Sequence, residues 1–183
     1  MADDAENQET AAEDVAAESV HPLFARLGEK FPEGILATAD YRGDLCATIE
    51  RKALVAIMTF LRDQEGFEML LDVTAVDYLG RAPRFEIVYH LVSLEEATRV
   101  RVKVPLEEAD VKIPSLTKLW TGADWLERET FDMYGIEFTG HPNLKRIYLY
   151  EEFVGHPLRK DYPKEKRQPL IGPGAITRSG EAD

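Results

Sequence analysis

Cysteine is nearly missing. Cys46 stands alone among 183 residues, which excludes an intrachain disulfide and any Cys-x-x-Cys metal or redox site built within the chain. An ordinary iron–sulfur cluster takes about four thiolates, so none is expected here. Long apolar runs are missing too: the longest, residues 53–58, is far short of the roughly 20 residues that cross a bilayer. No Lys or Arg precedes His21, so the chain starts with neither the basic n-region of a secretory signal nor an Arg-rich presequence. A reducing cytoplasm is the expected setting.

Recognisable reaction chemistry is also scarce. There is no G-x-G-x-x-G, no G-x-x-x-x-G-K-[ST], no H-E-x-x-H and no G-x-S-x-G, so the common nucleotide, zinc and nucleophile signatures are absent. The histidines His21, His90, His141 and His156 lie 69, 51 and 15 residues apart, and none has a helical i, i+4 partner histidine. A zinc site is not expected from such spacing. The remote alternative is a stand-alone metal-dependent hydrolase drawing on His141, His156, Glu127 and Asp132, whose mark would be stoichiometric zinc.

What is present is an ordinary soluble composition, 44% hydrophobic and 31% charged, in a length that suits one domain with appendages. The net charge of −12 disfavours nucleic acid and anionic lipid as partners, because both require basic surface. Much of it sits in one place. Asp3, Asp4, Glu6, Glu9, Glu13, Asp14 and Glu18 give residues 1–20 a charge of −7 and leave −5 for the rest. With almost no large apolar residue to bury, residues 1–20 read as a disordered acidic tail that keeps the free chain soluble. Residues 159–168 reverse the sign with Arg159, Lys160, Lys164, Lys166 and Arg167.

Periodicity supplies the fold. Leu23, Phe24, Leu27 and Phe31 after Pro22 predict a short amphipathic helix. Residues 34–40 and 45–50 read as strands joined by a turn through Arg42 and Gly43. Leu54, Ile57, Met58 and Leu61 fall at i, i+3, i+4 and i+7, which predicts a helix over residues 51–63. Alternation then predicts three strands, through Phe67 to Val73, Phe85 to Leu91 and Val100 to Val104, the first two antiparallel across a short Gly80 and Pro83 connector. Arg99, Arg101 and Lys103 mark the other face of the third strand as either solvated or a guarded edge. A helix with a break at Gly122 is expected over residues 114–134. The recurrent prolines beyond Gly135 predict an extended arm over residues 136–183. The expected class is α+β: residues 21–135 form a two-layer domain, with a mainly antiparallel sheet packed against helices.

Within the last helix, Glu127 and Glu129 are two residues apart and point in different directions, so they do not form a carboxylate pair. Arg128 and Asp132, at i and i+4, are expected to form an ion pair. The stretch 155–163 sets His156, Arg159, Lys160 and Tyr162 among prolines, a composition suited to extended docking on another protein.

Two longer runs carry a family resemblance. ERETFDMYGIEFTGHPNLKRIYL, residues 127–149, followed by FVGHPLRKDYP, residues 153–163, resembles the signature of the thirty-kilodalton subunit of respiratory complex I, which bacterial naming makes the C subunit. LLDVTAVDY at residues 70–78 and ADWL at residues 123–126 extend the likeness. The resemblance implies a non-catalytic subunit of the peripheral arm of a proton-translocating NADH:quinone oxidoreductase, on the cytoplasmic side of a bacterial inner membrane. Membrane contact would come only through the complex. It implies no cofactor in this chain, with FMN, iron–sulfur clusters and quinone held by partner subunits. The arm would wrap over the forty-nine-kilodalton (D) quinone-site subunit. By the same resemblance Glu127, Arg128, Glu129, Asp132, Gly135, His141 and Pro142 form the helix end and turn that launch the arm. His156, Pro157, Arg159, Lys160, Asp161 and Tyr162 would lie along the partner. Membrane-bound hydrogenases and complexes fed by other donors carry related subunits and are the alternative setting.

Overall fold

The computed structural model describes residues 21–168. The acidic tail read at residues 1–20 and the end of the arm, residues 169–183, lie outside the described residues.

The chain runs α1 (Pro22–Lys30), β1 (Ile35–Tyr41), β2 (Asp44–Ile49), a 3-10 turn (Arg51–Ala53) leading into α2 (Leu54–Asp63), β3 (Met69–Asp77), β4 (Phe85–Ser93), β5 (Thr98–Leu106), β6 (Lys112–Pro114), α3 (Ala123–Tyr134) and β7 (Glu137–Thr139). Five strands form one sheet in the order β1-β2-β5-β4-β3. All neighbours are antiparallel except β2 and β5, which pair in parallel. The α+β class and the mainly antiparallel sheet follow the expectation.

Period-two alternation sets the two faces. Ala47 and Ile49 of β2, Val73 and Ala75 of β3, Ile87, Tyr89 and Leu91 of β4 and Val100, Val102 and Val104 of β5 are buried together with apolar residues of all three helices. Leu23, Phe24 and Leu27 come from α1, and Leu54, Ile57, Met58 and Leu61 from α2, the stripe that the helical spacing predicts. On the other face β5 carries Arg99, Arg101 and Lys103. Because β5 sits between β2 and β4, the guarded-edge reading of that strand is wrong and the solvated-face reading holds.

One helix is shorter than expected. Pro114 pairs in β6, opposite Thr139 of β7, and α3 begins only at Ala123, after Gly122. Residues 115–122 are turns instead. The Ser115 hydroxyl accepts from the Thr117 amide, and the Leu116 amide donates to the Glu127 carboxylate, so side chains satisfy these amides in a non-helical turn.

Candidate functional site

The residues singled out in sequence converge on α3 and on the chain that returns past it. The helix ends at Gly135, whose φ of 75° is the left-handed conformation that terminates helices and suits glycine. A second constraint acts at the same residue. A Cβ added to Gly135 would lie 2.5 Å from Nε2 of His156 and 2.6 Å from its Cδ2. The His156 ring is fixed there because Nδ1 lies 2.9 Å from the Asp132 carbonyl oxygen. A carbonyl only accepts, so Nδ1 carries the proton. Burial lowers the pKa of His156 and favours the neutral ring.

Asp132, fully buried, is the anchor of the returning chain. Its Oδ2 accepts the backbone amides of Ile147, Tyr148 and Leu149 at 3.1, 2.9 and 3.0 Å, and Oδ1 accepts Arg146 Nη1 at 2.9 Å. Burial alone would raise its pKa. The three amides and the Arg146 charge outweigh that and hold the carboxyl below the usual range. The expected Arg128–Asp132 ion pair therefore does not form. Arg128 donates instead to the carbonyls of Lys145 and Arg146, at 3.1 and 3.3 Å, and lies over the Trp125 ring. Asp132 is taken by donors that come from beyond the helix, which helical spacing does not reveal.

A second anchor centres on Arg84, which no sequence pattern marks. Its guanidinium, 4% exposed, grips Asp77 with two parallel bonds of 2.9 Å and reaches Glu108 and, at 2.9 Å, Asp161. Hydrogen bonds to Asp77 and then Asp161 raise the Arg84 pKa, and the Arg84 contact depresses both carboxylates. The Lys160 amide donates to Asp77 at 2.8 Å, and Arg159 donates to the Tyr134 carbonyl at 2.6 Å while lying over Phe85. The Leu158 amide donates to the Met133 carbonyl. Tyr162 stacks on Phe153 and is held by Gln168. Residues 156–162 are thus sewn to their own domain. One signal existed in sequence: the inward parity of Val73 and Ala75 continues to Asp77, a buried carboxylate that needs a cation.

The remaining residues are accounted for singly. Glu127 is fully buried and Glu129 exposed, as their spacing requires. Burial pushes the Glu127 carboxyl up to about 7. Its Oε1 accepts the Leu116 amide at 2.7 Å, whereas Oε2 and the buried Tyr89 hydroxyl have no partner. His141 accepts the Asn143 amide at Nδ1, so Nε2 carries the proton and donates to the Asp124 carbonyl at 3.2 Å. Pro142 is exposed and Pro157 half-buried. His141 and His156 attach to α3 at Asp124 and Asp132, eight residues or roughly 12 Å apart along a helix, and so do not share a site. Among the described residues no group of three His, Cys, Asp or Glu side chains is placed to hold a metal ion.

The chain is similar to known proteins. Residues 47–168 match the family described as respiratory-chain NADH dehydrogenase, 30 Kd subunit. The C subunit of NADH-quinone oxidoreductase from Citrifermentans bemidjiense is 49% identical over 149 residues, covering 80% of this chain and 92% of that protein. The corresponding C subunit from Roseiflexus sp. (strain RS-1) is 50% identical over 143 residues, 77% of this chain and 82% of that one. Among solved structures, a trypsin-resistant fragment (1-134) of Nqo5 superposes with a TM-score of 0.59 at 36% identity, over 67% of this chain and 98% of the fragment. A chain of the membrane-bound sulfane sulfur reductase, an archaeal respiratory membrane complex, gives 0.65 at 25% identity over 78% and 85%.

Proposed function

The chain belongs to the respiratory-chain NADH dehydrogenase 30 Kd subunit family, and from that premise we propose that its outer surface around α3 is a contact surface for neighbouring subunits. It is a peripheral-arm subunit of NADH-quinone oxidoreductase, the respiratory enzyme that passes electrons from NADH to quinone, and a non-catalytic one. No helix among the described residues is long and apolar enough to cross a membrane.

One observation carries the reading of the surface. Two of the groups that sequence offered for chemistry are committed inward, Asp132 to three amides and Arg146 and His156 to the Asp132 carbonyl, and Asp77, which sequence did not offer, is committed to Arg84. What they leave outward is a firm display of contact residue types. Trp125, Tyr148, Val154 and Leu158 are large apolar side chains between 51% and 66% exposed. Trp125 is backed by Arg128, and the Tyr148 amide is tied to Asp132. Pre-ordered aromatic and Arg side chains lose little entropy on binding.

On this reading the partner is the forty-nine-kilodalton quinone-site subunit, and Pro142, Pro157, Leu158 and the Lys160 side chain lie along it. FMN, iron–sulfur clusters and quinone belong to partner subunits, and the arm lies on the cytoplasmic side of the membrane. The test uses Leu158→Glu and Lys160→Glu, made together in the full chain. Both side chains are exposed, so the isolated chain melts as the wild type does. Recovery of the forty-nine-kilodalton subunit with the tagged chain falls about thirtyfold, the effect of losing a contact worth roughly 2 kcal/mol. Unchanged recovery contradicts the proposed surface.

A further inference from the structure

The two edges of the five-stranded sheet are finished differently. At β3 the edge is closed: α3 packs on it, the Val73 carbonyl accepts the buried Thr130 hydroxyl at 2.9 Å, and the Asp77 side chain takes the Lys160 amide. At β1 it is open, since no described residue pairs with that strand beyond β2. β1 is also the one strand of this sheet that buries no side chain fully, and only Ile35 packs against the core. Leu36 and Tyr41 are 49% and 67% exposed.

The turn decides which backbone groups of β1 face out. Arg42 and Gly43, at φ 55° and 86°, form a two-residue turn that sets Tyr41 opposite Asp44. That closing pair exchanges backbone hydrogen bonds, and the exchange recurs at every second residue, at Ala39 with Cys46 and Ala37 with Thr48. Thr38 and Asp40 therefore turn both their N–H and C=O groups away from β2. Proline, lysine and arginine, which blunt free edges, are absent from Ile35–Tyr41. The bulge between Ile35 and Ala37 confines the regular open edge to residues 37–41.

We propose that in the assembled enzyme an extended segment of another subunit adds to β1 and completes this edge. Outward N–H and C=O groups at the spacing of a strand are matched only by a second extended backbone. The exposed Asp40 carboxylate accepts the Gly43 amide at 3.0 Å and has no ion-pair partner among the described residues. A Lys or Arg opposite it on the incoming segment makes a favourable cross-strand pair. A second copy of β1 offers only Thr38 and Asp40 at its own outward positions, and so no cation. Ala37 and Ala39 lie in the rows of Thr48 and Cys46, and their small side chains leave room for large apolar ones on the incoming strand. Four strand spacings, roughly 19 Å, separate β1 from β3. The contact is thus distinct from the surface around α3, and it rests on the chain's place in the enzyme rather than on that surface.

The test compares the full chain, free and in the enzyme recovered from membranes. In the free chain the amides of Thr38 and Asp40 exchange with solvent faster than those of Ala37, Ala39 and Tyr41, and in the enzyme they are expected to slow by about a hundredfold. A photo-cross-linker, p-benzoylphenylalanine, replaces the exposed Ala37. In the enzyme it is expected to join β1 to a segment of another subunit that carries a Lys or Arg. Thr38→Pro removes an outward N–H and no bond to β2, so recovery of the cross-linked subunit with the tagged chain falls about tenfold. Asp40→Asn keeps the acceptor for the Gly43 amide and lowers that recovery about threefold. Exchange at Thr38 and Asp40 that is the same in the free chain and the enzyme overturns the proposal. A cross-link to a second copy, or to residues 1–20 or 169–183 of the same chain, overturns it as well. Exchange and cross-linking leave Thr38 in place, so they decide the question even where Thr38→Pro lowers the melting temperature.

Discussion

The imidazole of His156 occupies the space that a Cβ on Gly135 would need, with Nε2 2.5 Å from that position. The end of α3 and the returning chain therefore specify each other: Gly135 is required both by its φ of 75° and by the ring packed on it. Gly135→Ala is expected to destabilise the fold by about 2–4 kcal/mol, combining roughly 1–2 kcal/mol of left-handed strain with displacement of His156. Adding His156→Ala removes the clash but leaves the strain. Urea denaturation of the two single variants and the double is expected to show a double-variant cost clearly below the sum.

Asp132 is a buried carboxylate whose four partners all come from residues 146–149. Asp132→Asn replaces a charged acceptor by a neutral group whose NH₂ faces backbone donors, and a cost of about 3 kcal/mol is expected. The pH dependence has a definite sign. A depressed folded-state pKa gives stability that is present above the ordinary value near 3.8 and is lost as pH falls through the folded value. The stability gap between wild type and Asp132→Asn is therefore expected to narrow below about pH 4, read from denaturation at pH 2.5, 4 and 7.

Glu127 has the opposite dependence. Its carboxyl titrates near 4.5 when unfolded and at about 7 when folded, so the unfolded chain holds fewer protons between those values. Its contribution to stability accordingly declines as pH rises from 4.5 to about 7, and levels off above. Glu127→Gln keeps the acceptor for the Leu116 amide and removes the carboxylate charge that burial penalises. The variant is expected to equal wild type near pH 4 and to exceed it at pH 8, by on the order of 3 kcal/mol at most. A difference independent of pH would show that Glu127 does not titrate in this window.

Arg84 holds Asp77 and the returning Asp161 from one buried position. Arg84→Met leaves Asp77 buried without its cation, and a loss of about 3–5 kcal/mol is expected. Asp161 is half-exposed, so Asp161→Asn is expected to cost less than about 1 kcal/mol. Limited trypsinolysis gives a second readout: cleavage after Lys160 or Lys164 accelerates in Arg84→Met and much less in Asp161→Asn. Equal acceleration in both would place the anchor at Asp161.

Much of the fold was legible because alternation and helical spacing are local. The pairs Val100/Val102 and Ile57/Leu61 announce their faces without knowledge of any neighbour. Less legible was whatever depends on long-range partners. The parallel pairing of β2 with β5, which makes β5 central, joins strands separated by α2, β3 and β4. The helix expected from Pro114 fails for a similar reason, since β7 recruits residues 112–114 as a strand. At the candidate site, sequence singled out Asp132, Gly135 and His156 but paired Asp132 with Arg128. The real partner, Arg146, arrives through a loop of no fixed period. Arg84 and Glu108 carried no pattern at all, and Asp77 only the parity that places a carboxylate in a core.

The central claim, that this chain serves its enzyme through contacts with other subunits, is tested most directly by mass spectrometry of the complex recovered from membranes with the tagged full chain. The account predicts one copy of the chain together with the forty-nine-kilodalton subunit and the flavin- and cluster-bearing subunits, and NADH oxidation by that assembly but not by the chain alone. Recovery of the chain without those subunits, or NADH oxidation by the isolated chain, would contradict it.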